Sequence, residues 1–285
     1  MILNTWIFKI KKSAIFLFGF SILLVILFPL AWLLVNAVKT NAEAQKIPPE
    51  WIPNEFTLKP LLNVILDLDG YGTHWGTYFL NTIFVTVVTT FIVVTLSMFV
   101  AYGLARFEIK GKGIVLFIFL IIQFLAGPAV MIPEFIFISS LGLYNTLTGL
   151  ILVYVIFQVP FATMLFYSFF KSLPVELEEA ASIDGCSVPG IFFKIVLPIS
   201  KVGIITVATM SFILTWSEYP FANILLESEK NLTISIGLAN YISAINIYWN
   251  QMAAASVICG FPILLLFLKA ETYFIRGLTA GAIKG

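Results

Sequence analysis

Long apolar blocks separated by short polar stretches make up most of this chain. Six of them reach the roughly 20 residues that a helix needs to cross the hydrocarbon core of a bilayer. They cover residues 14 to 37, 77 to 105, 113 to 138, 147 to 170, 201 to 224 and 252 to 275. The alternation of barrel strands is absent, and backbone groups in lipid need partners within their own segment. The pattern predicts an all-α polytopic membrane protein with six transmembrane helices.

The first block follows three lysines, as the apolar part of a signal peptide does. It runs for 25 uncharged residues, from Ala14 to Val38, whereas the apolar part of a signal peptide has roughly 7 to 15. We therefore expect a retained first span. The short stretch 141 to 146 connects the third block to the fourth, and Gly142 and Asn145 suit a tight turn there. The two blocks are predicted to form an antiparallel hairpin.

Composition narrows the class of protein, and the placement of charges predicts its orientation. The chain is 60% hydrophobic and 11% charged, against about 25% charged residues in soluble domains. A net charge of +1 gives no reason to expect nucleic acid as a partner. With a cytoplasmic amino terminus, 12 lysines and arginines fall inside and 4 outside. This orientation puts both termini and residues 171–201 in the cytoplasm, and makes 39–76 and 225–251 outer loops.

Residues 171–201 form a polar island between the fourth and fifth blocks. Pro174 suits the first turn of a helix, and three acidic residues then lie near its positive end: Glu176, Glu178 and Glu179. Asp184-Gly185 supplies a stop, and Ser187 suits the cap of a second short helix. The island is predicted to be a bent pair of short helices at the membrane surface. Composition leaves open whether it rests on lipid headgroups or receives a soluble partner.

The island contains a spaced motif that resembles the EAA motif of permease subunits in ATP-binding-cassette importers. That motif reads Glu-Ala-Ala, three residues, Gly, nine residues, Ile-x-Leu-Pro. The residues that match it, without a gap, are Glu179, Ala180, Ala181, Gly185, Ile195, Leu197 and Pro198. Other stretches are similar to the carbohydrate-importing, maltose-system-like branch of the binding-protein-dependent transport inner membrane component family: Asn81-Thr82, residues 101–107, 141–143 with Asn145-Thr146, and the tail 273–285. The likeness covers roughly residues 75 to 285.

The resemblance implies a type I importer permease fold with a cytoplasmic coupling helix. Residues 1–76 would form a cytoplasmic tail, the first helix and an outer loop, and residues 77–285 the transporter domain. Residues 171–201 would be the coupling loop, which sits in a groove on a separate ATPase. The residues expected to make that coupling are the seven motif residues together with Asp184. Ala180 and Ala181 would keep the helix slim, and Glu179 would meet a basic group.

The resemblance also implies the partners, the cargo and the location. These are a second permease subunit, two copies of a cytoplasmic ATPase, an extracytoplasmic solute-binding protein, and a prokaryotic cell membrane. A sugar or sugar derivative is the expected solute, with a non-sugar solute as the alternative. ATP and Mg²⁺ would be bound by the partner ATPase, because this chain has no G-x-x-x-x-G-K-[ST] sequence. No cofactor, metal or catalytic residue is expected on this chain, whose one histidine is His74.

Polar residues within the apolar blocks are candidates for the translocation pathway. Glu134 lies in the third block, where a carboxylate usually faces a cavity or a partner. The fifth helix is expected to continue past Glu218 and Pro220, which places Glu218, with Trp216 beside it, near the outer end of the pathway. Trp216 is also consistent with an ordinary interfacial aromatic residue.

Two amides, Gln123 and Gln158, are weaker candidates, since uncharged amides often bridge helices. The two carboxylates, Glu134 and Glu218, also leave open an ion-coupled secondary transporter. The small number of spans and the lack of a visible repeat count against that class.

Overall fold

The computed structural model describes residues 2–66, 74–124, 128–242 and 246–282, with side chains for residues 12–66, 74–124, 130–242 and 246–271. Within these ranges the regular structure is helical, apart from one isolated antiparallel bridge between Ile242 and Ile247. The chain divides into two compact units, residues 1–75 with 238–260 and residues 76–237 with 261–285. The predicted all-α class is confirmed.

The first unit contains α1 (Ile2–Ala37), α2 (Asn41–Ala44), α3 (Lys59–Leu66) and the first twelve residues of α14 (Trp249–Ala282). Hydrogen bonds join the loop after α1 to the start of α14. Asn250 donates to the carbonyl of Lys39 (3.2 Å), and Gln45 donates to the carbonyl of Ile247 (2.8 Å). The side chains of residues 12–31 in α1 are exposed and almost all apolar. This stretch of α1 therefore needs lipid or another subunit as its surroundings.

The second unit contains most of α4 (Trp75–Arg106) and the helices that follow. These are α5 (Lys112–Phe124), α6 (Pro128–Ser140), α7 (Leu147–Ser172), α8 (Glu176–Ile183), α9 (Val188–Ile191), α10 (Leu197–Ile199), α11 (Lys201–Trp216), α12 (Pro220–Leu225) and α13 (Ile234–Ala239). A π-helical turn, Phe192–Val196, joins α9 to α10. Both α5 and α11 pack along α7, so α7 is central to this unit.

The turn between α6 and α7 has the predicted chemistry. Gly142 and Asn145 adopt positive φ values of 71° and 56°, which glycine and asparagine tolerate best. Thr146 caps α7 by accepting the N–H of Gly149 at 3.1 Å. A Cβ on Gly149 would lie 2.3 Å from the carbonyl oxygen of Leu143. The close approach of this turn to α7 therefore requires a glycine.

Four helical stretches within the described ranges are long and apolar enough to cross a membrane by themselves: 12–37, 75–106, 147–172 and 249–271. A fifth span results if residues 188–199 and α11, which meet at 74°, are taken together. The third predicted block contains two shorter helices, α5 and α6, and residues 125–127 between them lie outside the described residues. The count of six spans stays a prediction.

The predicted continuation of the fifth helix past Glu218 and Pro220 is wrong. Helix α11 ends at Trp216, and α12 begins separately at Pro220. The Glu218 carboxylate accepts the N–H groups of Phe221 (2.8 Å) and Ala222 (3.1 Å) and so caps α12. Pro220 suits the first position of α12 because it has no N–H to leave unpaired. An apolar block that is continuous in sequence is thus divided by a capping carboxylate.

Candidate functional site

The polar island folds as the predicted bent pair of short helices. Helix α8 ends at Ile183, and Gly185 follows with a φ of +83°, a conformation that favours glycine. Ser187 then accepts the N–H of Gly190 and caps α9. Pro174 lies two residues before α8 rather than in its first turn, which corrects one detail of the prediction. We call residues 171–201 the connecting segment.

One face of the connecting segment is buried against three long helices. Ala181, Ile191, Phe192 and Val196 join a core with residues of α4, α7 and α11, among them Tyr102, Ala105, Phe166, Phe170 and Val207. The rings of Tyr102 and Phe192 lie 4.8 Å apart between centroids. Because closely packed side chains transmit displacement, the segment and these three helices are expected to move together.

A buried ion pair fixes α8 to the end of α4. Arg106 Nε lies 2.6 Å from one carboxylate oxygen of Glu178, and the Tyr102 hydroxyl donates to the other at 2.9 Å. Arg106 also donates to the Leu173 carbonyl at 3.4 Å. The side chains of Arg106 and Glu178 are only 11% and 10% exposed. Removing one member of such a pair costs about 3–5 kcal/mol, because the other charge is left buried.

Sequence reasoning gave Glu178 no role beyond its place near the helix dipole. Glu176, Glu178 and Glu179 look alike in the sequence, and only packing distinguishes them. One signal was available: Glu178 lies three residues before Ala181, so the two share a helix face. Once Ala181 is assigned to the buried face, Glu178 belongs there too, and a buried carboxylate needs a basic partner.

The opposite face of α8 is exposed and carries acidic and apolar side chains, whereas the exposed lysines of the connecting segment, Lys171, Lys194 and Lys201, lie outside α8. Five of the eight predicted coupling residues are exposed: Glu179, Ala180, Asp184, Gly185 and Pro198. Ala181 is buried, while Ile195 and Leu197 are half-buried against the core. Ile183, which sequence reasoning did not select, is 87% exposed. Its signal in the sequence is an isoleucine directly before the Asp-Gly stop of an otherwise polar helix.

The two amides proposed for the pathway bond to neighbouring helices. Gln158 on α7 donates to Thr215 at 2.9 Å and accepts from Ser211 at 2.6 Å, which ties α7 to α11. Gln123 on α5 donates to the Phe119 carbonyl and to the Met164 sulfur of α7. Both amides therefore contribute to helix packing, and their role in a pathway stays a prediction.

The remaining pathway candidates lie in different surroundings. Glu218 accepts from the Tyr154 hydroxyl at 2.5 Å in addition to capping α12. Trp216 is buried, with its ring stacked on Phe212 at 5.3 Å. Glu134 is half-buried on α6, and one of its carboxylate oxygens is enclosed with no hydrogen-bond donor among the described residues. Of the five candidates, only Glu134 retains such an unsatisfied acceptor in the described part of the chain.

The opposite end of this unit carries a second cluster of hydrogen bonds, which sequence reasoning did not predict. Asn145 accepts the N–H groups of Glu227 and Ser228, each at 3.0 Å. Asn81 on α4 donates to the carbonyls of Lys230 and Leu232, each at 2.9 Å. Asn81 and Asn145, which lie in stretches that resemble the family, therefore hold residues 227–232 in place.

This chain is similar to known permeases over most of its length. Residues 75–278 match the family described as binding-protein-dependent transport system inner membrane component. The probable ABC transporter permease protein YurM of Bacillus subtilis is 36% identical, over 97% of this chain and 90% of that relative. The sulfoquinovosyl glycerol transport system permease protein SmoH of Agrobacterium fabrum is 31% identical, over 93% and 92%. The arabinooligosaccharides transport system permease protein AraQ of Bacillus subtilis is 28% identical, over 98% of each.

A solved structure shares the fold. It is a chain of a bacterial ABC transporter involved in the import of the acidic polysaccharide alginate. The TM-score is 0.74 at 24% sequence identity, over 94% of this chain and 96% of that one.

Proposed function

Because this chain belongs to the family of binding-protein-dependent transport system inner membrane components, we propose that it is a permease subunit of an ATP-driven sugar importer. The relatives named for a solute carry sulfoquinovosyl glycerol and arabinooligosaccharides, both of which are sugar derivatives. The structural relative belongs to an importer of a polysaccharide. The observation that carries the coupling part of the proposal is the division of α8 into an anchored face and an exposed face.

The exposed face of the connecting segment is the docking surface for a separate ATPase. It presents Glu179 and Asp184 for basic groups, and Ile183 for an apolar contact. Ala180 adds no bulk between them. The exposed face of α8, which is acidic and apolar and has no basic residue, matches a groove with basic rims better than it matches lipid headgroups, which favour basic residues.

The buried face converts movement of the ATPase into movement of helices. Glu178 connects α8 to α4 through Arg106, and the shared core connects the segment to α7 and α11. Closure of two ATPase subunits around ATP would shift these helices as one body and alternate the side on which the pathway opens. ATP and Mg²⁺ belong to the ATPase in this scheme.

The assembly we propose has this chain beside a second permease subunit, above two ATPase subunits, with a solute-binding protein on the other side. The charge count supports an orientation with the connecting segment in the cytoplasm. In that orientation the residues 227–232 held by Asn81 and Asn145 face the binding protein's side of the membrane.

The ATPase contact is tested by reversing one exposed charge. Glu179→Lys is expected to reduce both copurification of the ATPase and solute uptake, by about tenfold or more. The new lysine would face the basic group of the ATPase that Glu179 is proposed to pair with, and two like charges at an interface repel each other. Glu108→Lys is the matched control, since Glu108 is exposed outside the connecting segment. Unchanged copurification and uptake in Glu179→Lys would contradict the docking surface.

A further inference from the structure

We propose that residues 47–66, which comprise the loop after α2 and the whole of α3, lie in the membrane interface. There they contact lipid of the leaflet at which α1 ends. This is the outer leaflet in the orientation that the charge count predicts. We call these residues the interfacial loop. The proposal rests on depth, on anchoring and on the exposed side chains of this one unit.

Trp51 fixes the depth of the interfacial loop. Its ring packs on two residues of α1, with centroids 4.9 Å from Trp32 and 5.6 Å from Phe28. The 26 uncharged residues between Lys12 and Lys39 span about 39 Å of helix, against about 30 Å of hydrocarbon. Even if all the helix length in excess of the hydrocarbon thickness lies at the Lys39 end of α1, Trp32 falls at the hydrocarbon boundary and Phe28 lies about 6 Å inside it. The loop therefore returns along α1 to the level of the membrane.

Two contacts at the end of α1 hold the loop at that level. Lys39 is only 1% exposed. Its ammonium group donates to the Glu50 carbonyl, and it lies 4.7 Å from the centre of the Trp32 ring. The N–H of Thr57 donates to the Val38 carbonyl at 2.9 Å. The loop is thus fixed at both sides of Trp51, and its depth is a property of the fold.

Most of the exposed side chains of the loop are large and apolar, and the polar ones exposed beside them are Asn54, Glu55 and Lys59. Ile47, Ile52 and Phe56 are 95%, 81% and 67% exposed. On α3 and the residue before it, one face is apolar and exposed, and it consists of Leu58, Leu62, Ile65 and Leu66, whereas Pro60 and Val64 are buried. Exposed large apolar side chains grouped in this way mark a contact with a membrane or another protein.

Continuity and charge favour lipid as that contact. The neighbouring α1 side chains, Leu30 and Leu34, are also exposed, so the loop extends a surface that already faces the bilayer. The Glu50 carboxylate accepts from Lys46 at 2.9 Å, and this bond raises the pKa of Lys46. The sequence 47–66 holds only one basic residue, Lys59. Contact with lipid is therefore hydrophobic and independent of anionic headgroups.

Spin labels on the complete transporter in lipid nanodiscs test the proposal. Ile52→Cys and Phe56→Cys are labelled in a background where Cys186 and Cys259 are replaced by alanine. Collisions with oxygen report lipid, and collisions with a water-soluble nickel chelate report water. Leu27→Cys in α1 serves as the lipid reference, and Lys230→Cys, exposed in a polar loop, as the water reference.

We expect oxygen to exceed the nickel chelate severalfold at residues 52 and 56, as at residue 27, and the ratio to be equal in zwitterionic and anionic nanodiscs. A preference for the nickel chelate at both positions would place the loop in water and overturn the proposal. Exclusion of both reagents would show that protein covers the loop, which also overturns it. Uptake by the labelled variants confirms that they retain their fold.

Discussion

At the scale of single residues, two adjacent glutamates lie in different surroundings. Glu178 is buried with Arg106 and Tyr102, whereas Glu179 is exposed. The motif in the sequence points to Glu179, and the structure adds Glu178. Residue type could not separate them, because the difference arises from the long-range packing of α8 on α4.

We expect Glu178→Ala to lower the free energy of unfolding by about 3 kcal/mol, because it leaves the Arg106 guanidinium buried without a carboxylate. Glu179→Ala is expected to change it by less than about 0.5 kcal/mol, as exposed substitutions usually do. Thermal unfolding of the purified protein measures both. Equal effects of the two substitutions on the unfolding temperature would contradict the division of faces.

Ile183 is expected to bind the ATPase through an apolar contact. Replacement by serine removes that contact without disturbing the core, since the side chain is 87% exposed. We expect Ile183→Ser to weaken ATPase binding by about tenfold, or about 1.4 kcal/mol, with the unfolding temperature unchanged. Ile109→Ser, exposed in the loop between α4 and α5, is the matched control. Equal ATPase affinities in both variants would remove Ile183 from the interface.

At the scale of elements, α4 connects two clusters of contacts. Asn81 near its start bonds residues 230–232, and Arg106 at its end bonds Glu178. About 37 Å of helix separates Asn81 from Arg106. A rigid helix with fixed contacts at both ends is suited to transmit movement between the connecting segment and the opposite side of the unit.

The turn between α6 and α7 gives a prediction about close packing. Gly149→Ala is expected to lower the free energy of unfolding by about 1–3 kcal/mol, because its Cβ would overlap the Leu143 carbonyl. Gly103→Ala in α4 is the control, since nothing lies within 4 Å of a Cβ there. Thermal unfolding compares the two. Equal unfolding temperatures would show that the turn is free to move away from α7.

The long apolar blocks of the sequence located the helices well and the breaks within them poorly. The uncharged blocks indicated α1, α4, α7 and α14 because lipid selects for long runs of apolar residues. The break at Ser217 was missed because its cause is the capping of α12 by Glu218, which the hydropathy of the block does not reveal. The connecting segment was predicted well because proline, glycine and serine mark its turns locally.

At the scale of the whole molecule, the motifs of the family and the contacts in the structure inform different parts of the chain. The family model begins at residue 75, although relatives such as YurM align over 97% of the chain. Trp51 and Lys39 acquire their meaning from contacts with α1, which no local pattern in the loop announces. The fold class and the bent pair of helices in the connecting segment could be predicted from the sequence, whereas the interfacial loop could be recognised only from the structure.

The most direct measurement is the uptake of a labelled oligosaccharide by the complete transporter in proteoliposomes. Uptake is predicted to require ATP and the binding protein, to continue when a protonophore collapses the proton gradient while ATP is maintained, and to fall about tenfold or more in Glu179→Lys. Uptake that stops with the protonophore and proceeds without ATP would contradict an ATP-driven permease and favour ion coupling through carboxylates such as Glu134.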